Sequence, residues 1–411
     1  MEMWKRSMLL VGLCMVFILA ACGGESTVED SSDPEQTEED TDMDSHTDED
    51  EAIRIGVQIY DATDSEVVAF KRYYEDYIED HYNVEFLFSE SINTAEEEVT
   101  STENFINQGV DAIISFSDQD RMAVIRRTED AGVHYAIAAG TLSDEQYDQV
   151  KDNEYFVGSI GPSLEQEEQI GYDMAKHYLD EGYTNFLLYA GGYPYVDMHQ
   201  MRTSGMIRAF EEAGVAYTPR EDGQFGEFSG DGFTINTIAG FPDDSGAFFG
   251  TAGERVSETG LEVVLTAALG LEFFGTPIAQ SGSDIQLATV SSFTEAYKGG
   301  FEAGQVDYLA GKFASSIGPI FAAVYNAVNG DEDVARQEGG AFRLDQGYWV
   351  ATTQDEFNEM YTLSNSIEEP AYTDELLNTV IKRFNEETTY QQFADLVESY
   401  EFSSIQEMLG E

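Results

Sequence analysis

Side chains able to grip a small polar solute stand at the ends of short apolar runs in this chain. The run Ile53–Ile59 gives way to Tyr60, Asp61 and Asp64, and the run Ala112–Phe116 gives way to Ser117, Asp118 and Gln119. Farther on, Tyr193 and Tyr195 follow Asn185–Ala190, and Phe293 follows Ile285–Ser291. Hydroxyls, carboxylates and amides hydrogen-bond a polar solute, while aromatic faces cover its apolar edges. Arg202 adds a planar guanidinium fork suited to paired hydroxyls, a carboxylate or a carbonyl. Each residue also has a plainer use. Asp61, Asp64 and Asp118 stand where aspartate caps a helix after a strand, and the aromatics would suit a core. With so few cations in the chain, Arg202 is expected to face either a solute or an acidic neighbour.

Bond-making chemistry has no comparable support. Gly-x-Ser-x-Gly is absent, which argues against an α/β-hydrolase. Gly304…Gly311-Lys312-Phe313 lacks the spacing and the Ser/Thr of a phosphate-binding loop. The five histidines show no metal-ligand spacing. Gly158-Ser-Ile-Gly161 lacks the third glycine and acidic follower of a dinucleotide fingerprint. No catalytic residue, cofactor or metal is expected.

The elements that position these side chains alternate. Val99, Thr102, Phe105 and Ile106 recur at helical spacing, and Gly109 stands where a helix C-cap belongs. The apolar run Ala112–Phe116 follows, suited to a strand buried on both faces of a parallel sheet. A second helix ends at Gly132, and the strand Val133–Ala139 completes the unit. Strand and helix alternate four times before Val150, which specifies a doubly wound parallel sheet. A comparable half begins near Phe156. Strands are expected at Asn185–Ala190, Thr234–Ala239, Leu261–Ala267 and Ile285–Val290, with helices over Met201–Ala213 and Ile320–Val328. In such sheets ligands sit at the carboxyl ends of the strands, where the polar residues above fall.

The segment Gly109-Val-Asp-Ala-Ile-Ile, continued to Gly140, resembles the "G-x-D-A-I-I … A-G-I-P-V" stretch of type I solute-binding proteins, the sugar- and nucleoside-binding group that serves ABC importers. Met201-Arg202-Thr-Ser-Gly205-Met206 resembles that family's "R-x-x-G-F", in which the Arg reaches the ligand. The resemblance covers roughly residues 52–351. It implies α/β architecture with two doubly wound Rossmann-like lobes joined by a three-strand hinge, the chain crossing near Val157–Pro162, Ala310–Ser316 and Phe342–Gly347. Lys312 falls in the second crossing, where the family often places a polar ligand contact and where an exposed hinge lysine is the alternative. The implied division is an N-terminal lobe over 52–157, a C-terminal lobe over 158–311, a helix returning to the first lobe over 312–345, and a last crossing with a helical segment over 346–411. Departures are visible. The Asp-Arg pair of ribose-type binders is replaced by Ala139-Gly140, their Asn-Asp by Ala268-Leu269, and a later Asp by Ser291-Ser292-Phe293. Fewer carboxylates mean fewer bidentate grips on sugar hydroxyls, so a less hydroxylated solute is also compatible.

The amino terminus reads as export. Residues 1–21 carry Lys5, Arg6 and the apolar run Met8–Ala20, too short for a comfortable membrane span. Leu19-Ala20-Ala21-Cys22 resembles a lipobox, which implies that Cys22 is the lipid anchor. From Cys22 to Glu51 the chain holds 14 acidic residues, no Lys or Arg and no aromatic, a composition expected to remain a disordered tether spanning roughly 30 Å. The formal charge is −60. Such a surface repels nucleic acid and itself, and salt screens the repulsion over about 10 Å at 0.1 M. A saline or alkaline exterior is therefore expected. No cysteine follows Cys22, so the body has no disulfide.

The reading is an extracytoplasmic lipoprotein, expected to act as a monomer, that closes over a small-molecule ligand and delivers it to an ABC permease in the membrane. A sensor of the same fold signalling to a histidine kinase, and a nucleoside-binding lipoprotein, need the same cleft and stay open.

Overall fold

The computed structural model describes residues 51–221, 225–242 and 245–410, so the export signal, Cys22 and nearly all of the acidic tether lie outside the described residues. Apolar runs form the centre of two sheets. In the first, β1 (Ile53–Ile59), β2 (Val84–Ser91), β3 (Ala112–Ser115), β4 (His134–Ile137) and β5 (Phe156–Gly161) run parallel in the order β5-β4-β3-β1-β2. In the second, β6 (Asn185–Tyr189) stands between β9 (Thr234–Ile238) and β10 (Val263–Thr266). Beyond β10 come β11 (Gln286–Ser292) and β12 (Tyr308–Lys312), all parallel. A hairpin of β7 (Ala216–Thr218) and β8 (Glu227–Ser229) stands apart. After β12 the chain returns to the first sheet through β13 (Arg336–Gln337) and β14 (Gly340–Asp345). It then crosses back to β15 (Trp349–Ala351), antiparallel on β12. The chain thus passes between the sheets after β5, after β12 and between β14 and β15.

Local chemistry accounts for the helix ends. Asp64 caps the helix Ser65–Arg72 by accepting from the Glu66 N–H, and Thr94 caps Ala95–Gln108, each worth about 1 kcal/mol. Gly109 closes the latter helix at φ 72°, a left-handed conformation open to glycine. The helix after Ser65 continues through a π-helical stretch, Tyr73–Ile78, that turns Tyr73, Tyr74, Tyr77 and Ile78 inward. Val67, Phe70 and Tyr74 share one face and are buried, whereas Val68 lies off that stripe and is exposed. The helix expected over Met201–Ala213 starts earlier, at Asp197. Close packing of that helix on Leu164–Glu181 depends on two glycines: a Cβ on Gly171 would lie 1.9 Å from the Arg202 carbonyl oxygen, and one on Gly205 1.9 Å from that of Glu168. That approach brings Arg202 against Glu167.

Residues 352–410 carry the helices Gln354–Asn365, Asp374–Asn378, Tyr390–Glu398 and Phe402–Leu409, and they straddle the crossings. Asn365 Nδ2 donates to the Phe293 carbonyl at 2.9 Å. The chain then lies on the first lobe, where Tyr73 Oη donates to the Tyr372 carbonyl at 2.6 Å and Phe393 packs edge-on against Phe342. It comes back over the third crossing, where Trp349 Nε1 donates to the Tyr400 carbonyl at 2.6 Å and Phe402 meets the Trp349 ring. Residues of both lobes and of this segment merge in one apolar core.

Candidate functional site

The carboxyl end of β1 supplies the first group. Asp61 Oδ1 accepts from the Thr63 N–H and hydroxyl, both at 2.8 Å, and forms an exposed turn. Asp64 is spent on its helix cap. Tyr60 Oη lies 3.2 Å from both Asp64 Oδ1 and Glu66 Oε2. Burial, together with those two carboxylates, raises the Tyr60 phenol well above its usual range. Glu66, in the first turn of the helix, lines a crevice of about 10 Å³ with Ser65, Ser292, Phe293 and Lys312. Burial pushes its carboxyl up, and the nearby Lys312 works against that.

Lys312 ends β12 at the second crossing. Among the described residues its ammonium has no hydrogen-bond acceptor and no ion-pair partner; it lies 5.6 Å from the centroid of the Tyr348 ring. Burial lowers its pKa, while Glu66 and Glu167 oppose that and Arg202 and Arg121 add to it. The Arg202 guanidinium approaches the same ring, also at 5.6 Å. Tyr348, from the third crossing, thus stands between two cations, and its ring faces contribute cation–π attraction.

Arg202 itself is held firmly. Its Nε donates to Glu167 Oε2 at 2.6 Å, Nη2 to Glu167 Oε1 at 3.2 Å and to Tyr348 Oη at 2.8 Å, and Nη1 to the Ala267 carbonyl at 2.7 Å. Both side chains are buried, at 7% and 6% exposure. The acidic neighbour that the sequence allows is therefore Glu167.

Just past β3, Ser117 is buried, whereas Asp118 and Gln119 are exposed and bonded to each other at 3.0 Å. Arg121, absent from the sequence-derived set, reaches from the next helix to the carbonyls of Ser117 (3.1 Å), Thr141 (3.2 Å) and Ala139 (2.6 Å). Its guanidinium therefore stands at the end of β4, where the family places an Asp-Arg pair and this chain has Ala139-Gly140. On the second lobe, Tyr193 is half-buried and edge-on against Phe225, and Tyr195 is 91% exposed. Phe293 is core, packed on Trp349 and Phe357.

The structure therefore joins Tyr60 to Lys312 through Glu66, and Lys312 to Arg202 through Tyr348. It leaves Asp61, Asp118, Gln119, Tyr193 and Tyr195 outside that chain of contacts, while Phe293 lines the crevice beside Lys312 from the core. Glu66, Arg121, Glu167, Ser292 and Tyr348 belong to the neighbourhood and are missed by sequence reading. The clearest available signal was Tyr348, one residue past the expected third crossing. Among the described residues no group of three or more His, Cys, Asp or Glu is placed to hold a metal ion. A far larger hollow, about 1120 Å³, opens in the carboxyl-terminal segment beside Glu359, Leu363, Leu376 and Phe402.

Solved structures share this architecture. An ABC transporter solute-binding protein from Bacillus halodurans C-125 with bound myo-inositol is 19% identical, covers 77% of this chain and 99% of its own, and superposes with a TM-score of 0.57. The arabinose-transporter component from Shewanella sp. ANA-3, bound to L-arabinofuranose, is 15% identical over 75% of this chain and 94% of its own, with a TM-score of 0.56. A protein from Actinobacillus succinogenes 130z with bound D-allose gives 13%, 74%, 99% and 0.58. The chain has the type I periplasmic binding protein fold. No family model and no curated protein matches the sequence. The type I neighbours are spanned almost whole while a quarter of this chain stays unmatched, so the chain is longer than the shared fold. No helix among the described residues is long and apolar enough to cross a membrane.

Proposed function

We propose that the protein is an extracytoplasmic solute-binding lipoprotein, anchored through Cys22, that captures a sugar or related polyhydroxylated solute between its lobes and delivers it to an ABC importer. The observation that carries this reading is Lys312. It is a half-buried ammonium at a lobe crossing with no acceptor among the described residues, near Glu66 of the first lobe and near Tyr348, whose ring Arg202 also approaches. Hydroxyls of a bound solute would accept from it and complete its bonding. The ligands named for the neighbouring proteins, arabinofuranose, myo-inositol and allose, agree with that chemistry. The crevice beside Lys312 has room for about one water, so a solute gains access only when the lobes separate about the crossings. Closure then returns the bonds to a low-dielectric interior.

The test is a melting and calorimetric screen of the chain from residue 22 onward against arabinose, allose, myo-inositol and nucleosides. A saturable melting shift with one polyol class supports capture, and binding confined to nucleosides would redirect the reading to that alternative. No response to any of them would overturn it. Separately, lipid labelling of the full chain in a membrane-bearing host should be lost in Cys22→Ala.

A further inference from the structure

In one corner of the first lobe, four buried polar atoms are left without partners: Gln58 Oε1, Glu98 Oε1, Ser117 Oγ and Tyr135 Oη. Their residues are at most 1% exposed. They come from four different elements that meet on one face of the sheet. Gln58 of β1 is in register with Ser115 of β3, and Tyr135 of β4 with Ile113, two residues earlier on β3. Side chains two apart on a strand share a face, so all of these point toward the helix Ala95–Gln108. Glu98 in that helix closes the corner. Its carbonyl accepts from Gln58 Nε2 at 3.0 Å, and its Oε2 accepts from the Asp120 N–H. Ser117 is held near by its N–H donating to Ser115 Oγ at 3.2 Å. The Glu98 carboxylate has Ser117 and Arg121 as neighbours, and the Tyr135 phenol has Glu98, Arg121 and Ser115.

Leaving four such atoms dry is costly, because each loses its water without a replacement. We propose that this corner is a binding site for one buried water molecule, held by all four side chains. The proton count selects water over an ion. With Glu98 ionised, the state that the Asp120 N–H and Arg121 favour against its burial, its Oε1 and Gln58 Oε1 can only accept, and the Ser117 and Tyr135 hydroxyls each have a hydrogen to give. One water donates twice and accepts twice, and it satisfies every atom. A sodium ion would draw on all four lone pairs but leave both hydroxyl hydrogens unplaced, and an ammonium ion would have only donors to offer them. Buried waters with three or four such bonds behave as structural components. This one would join β1, β3, β4 and the helix Ala95–Gln108 directly beneath Ser117–Asp120, and so hold the polar crest of the first lobe in place.

A high-resolution crystal structure of the chain grown in rubidium chloride tests the site, together with melting of Tyr135→Phe and Ser117→Ala in sodium and potassium chloride at equal ionic strength. The expected result is one oxygen peak within hydrogen-bonding distance of the four atoms, without a rubidium anomalous signal. Both variants should melt a few degrees lower than the parent, equally in either salt. Density for a cation, or a sodium-specific gain in the parent lost in Glu98→Gln, would overturn it. So would a dry corner in which the four atoms pair among themselves, or Tyr135→Phe melting at or above the parent, as a purely space-filling ring would allow.

Discussion

Arg202 and Glu167 form a buried, two-bonded pair, Nε to Oε2 at 2.6 Å and Nη2 to Oε1 at 3.2 Å. The remaining guanidinium bonds go to the Tyr348 hydroxyl and the Ala267 carbonyl, so four of its five N–H donors are used within the protein. This changes what a substitution should do. Arg202→Ala leaves Glu167 buried without its counter-charge and with only the Tyr348 hydroxyl, at 2.8 Å, still donating to it, which costs about 3–5 kcal/mol. Urea unfolding should register that loss, and a double variant replacing both partners with apolar residues should recover part of it. Arg202→Ala unfolding like the parent would mean the pair contributes little.

Lys312 should behave in the opposite way. Its ammonium makes no hydrogen bond among the described residues, and burial already disfavours its charge. Lys312→Met keeps the aliphatic stem against Tyr348 and removes only the donor. The apo protein is expected to melt at or slightly above the parent, while the melting shift given by any solute that the parent binds should disappear. A preserved shift would place solute recognition elsewhere in the cleft.

Asp307 gives the second lobe a pH signature. Burial pushes its carboxyl up to about 6, although the Tyr178 hydroxyl donates to it at 2.9 Å. A raised folded-state pKa means that the native protein keeps this proton where the unfolded chain has lost it. The contribution is therefore full below about pH 4 and is lost as pH rises through about 6, on the order of 3 kcal/mol. Asp307→Asn, whose amide oxygen can still accept from Tyr178, should unfold at higher urea than the parent at pH 8 and at nearly the same urea at pH 4. The same difference at both values would rule out titration as the cause.

What was legible in the chain followed from local rules. Gly109 and Gly132 end their helices in the left-handed conformation, and the run after Gly109 became an interior strand of the first sheet because a strand covered on both faces favours apolar side chains. What failed was non-local. Nothing near Arg121 indicates that its guanidinium ends on the Ala139 carbonyl, and Glu66 reads as a first-turn helix residue until the hinge is folded beside it. Phe293 stands at a strand end like the tyrosines, but the carboxyl-terminal segment covers it with Phe357 and turns it into core. That segment could not be placed from sequence, because its periodicity shows helices without showing which lobe they cover.

The packing of that segment on the hinge leads to a last expectation. Trp349 lies at the third crossing, 2% exposed. It stacks on Phe313 of the second crossing with centroids 3.9 Å apart, and Phe402 meets it edge-on at 5.0 Å. The sequence has one other tryptophan, Trp4, so a chain beginning at residue 22 carries Trp349 alone. Rotation of the lobes must shear the Phe313–Trp349 stack or move the two rings together, because they sit on different crossings. If the stack shears, emission of Trp349 should shift when solute is added, with the same midpoint as the calorimetric titration, and Phe402→Ala should enlarge the shift by loosening the third ring. Emission that stays fixed while calorimetry records binding would mean that Phe313, Trp349 and Phe402 turn as one block. The bending would then lie at the first crossing, between Gly161 and Ser163, where no such stack resists it.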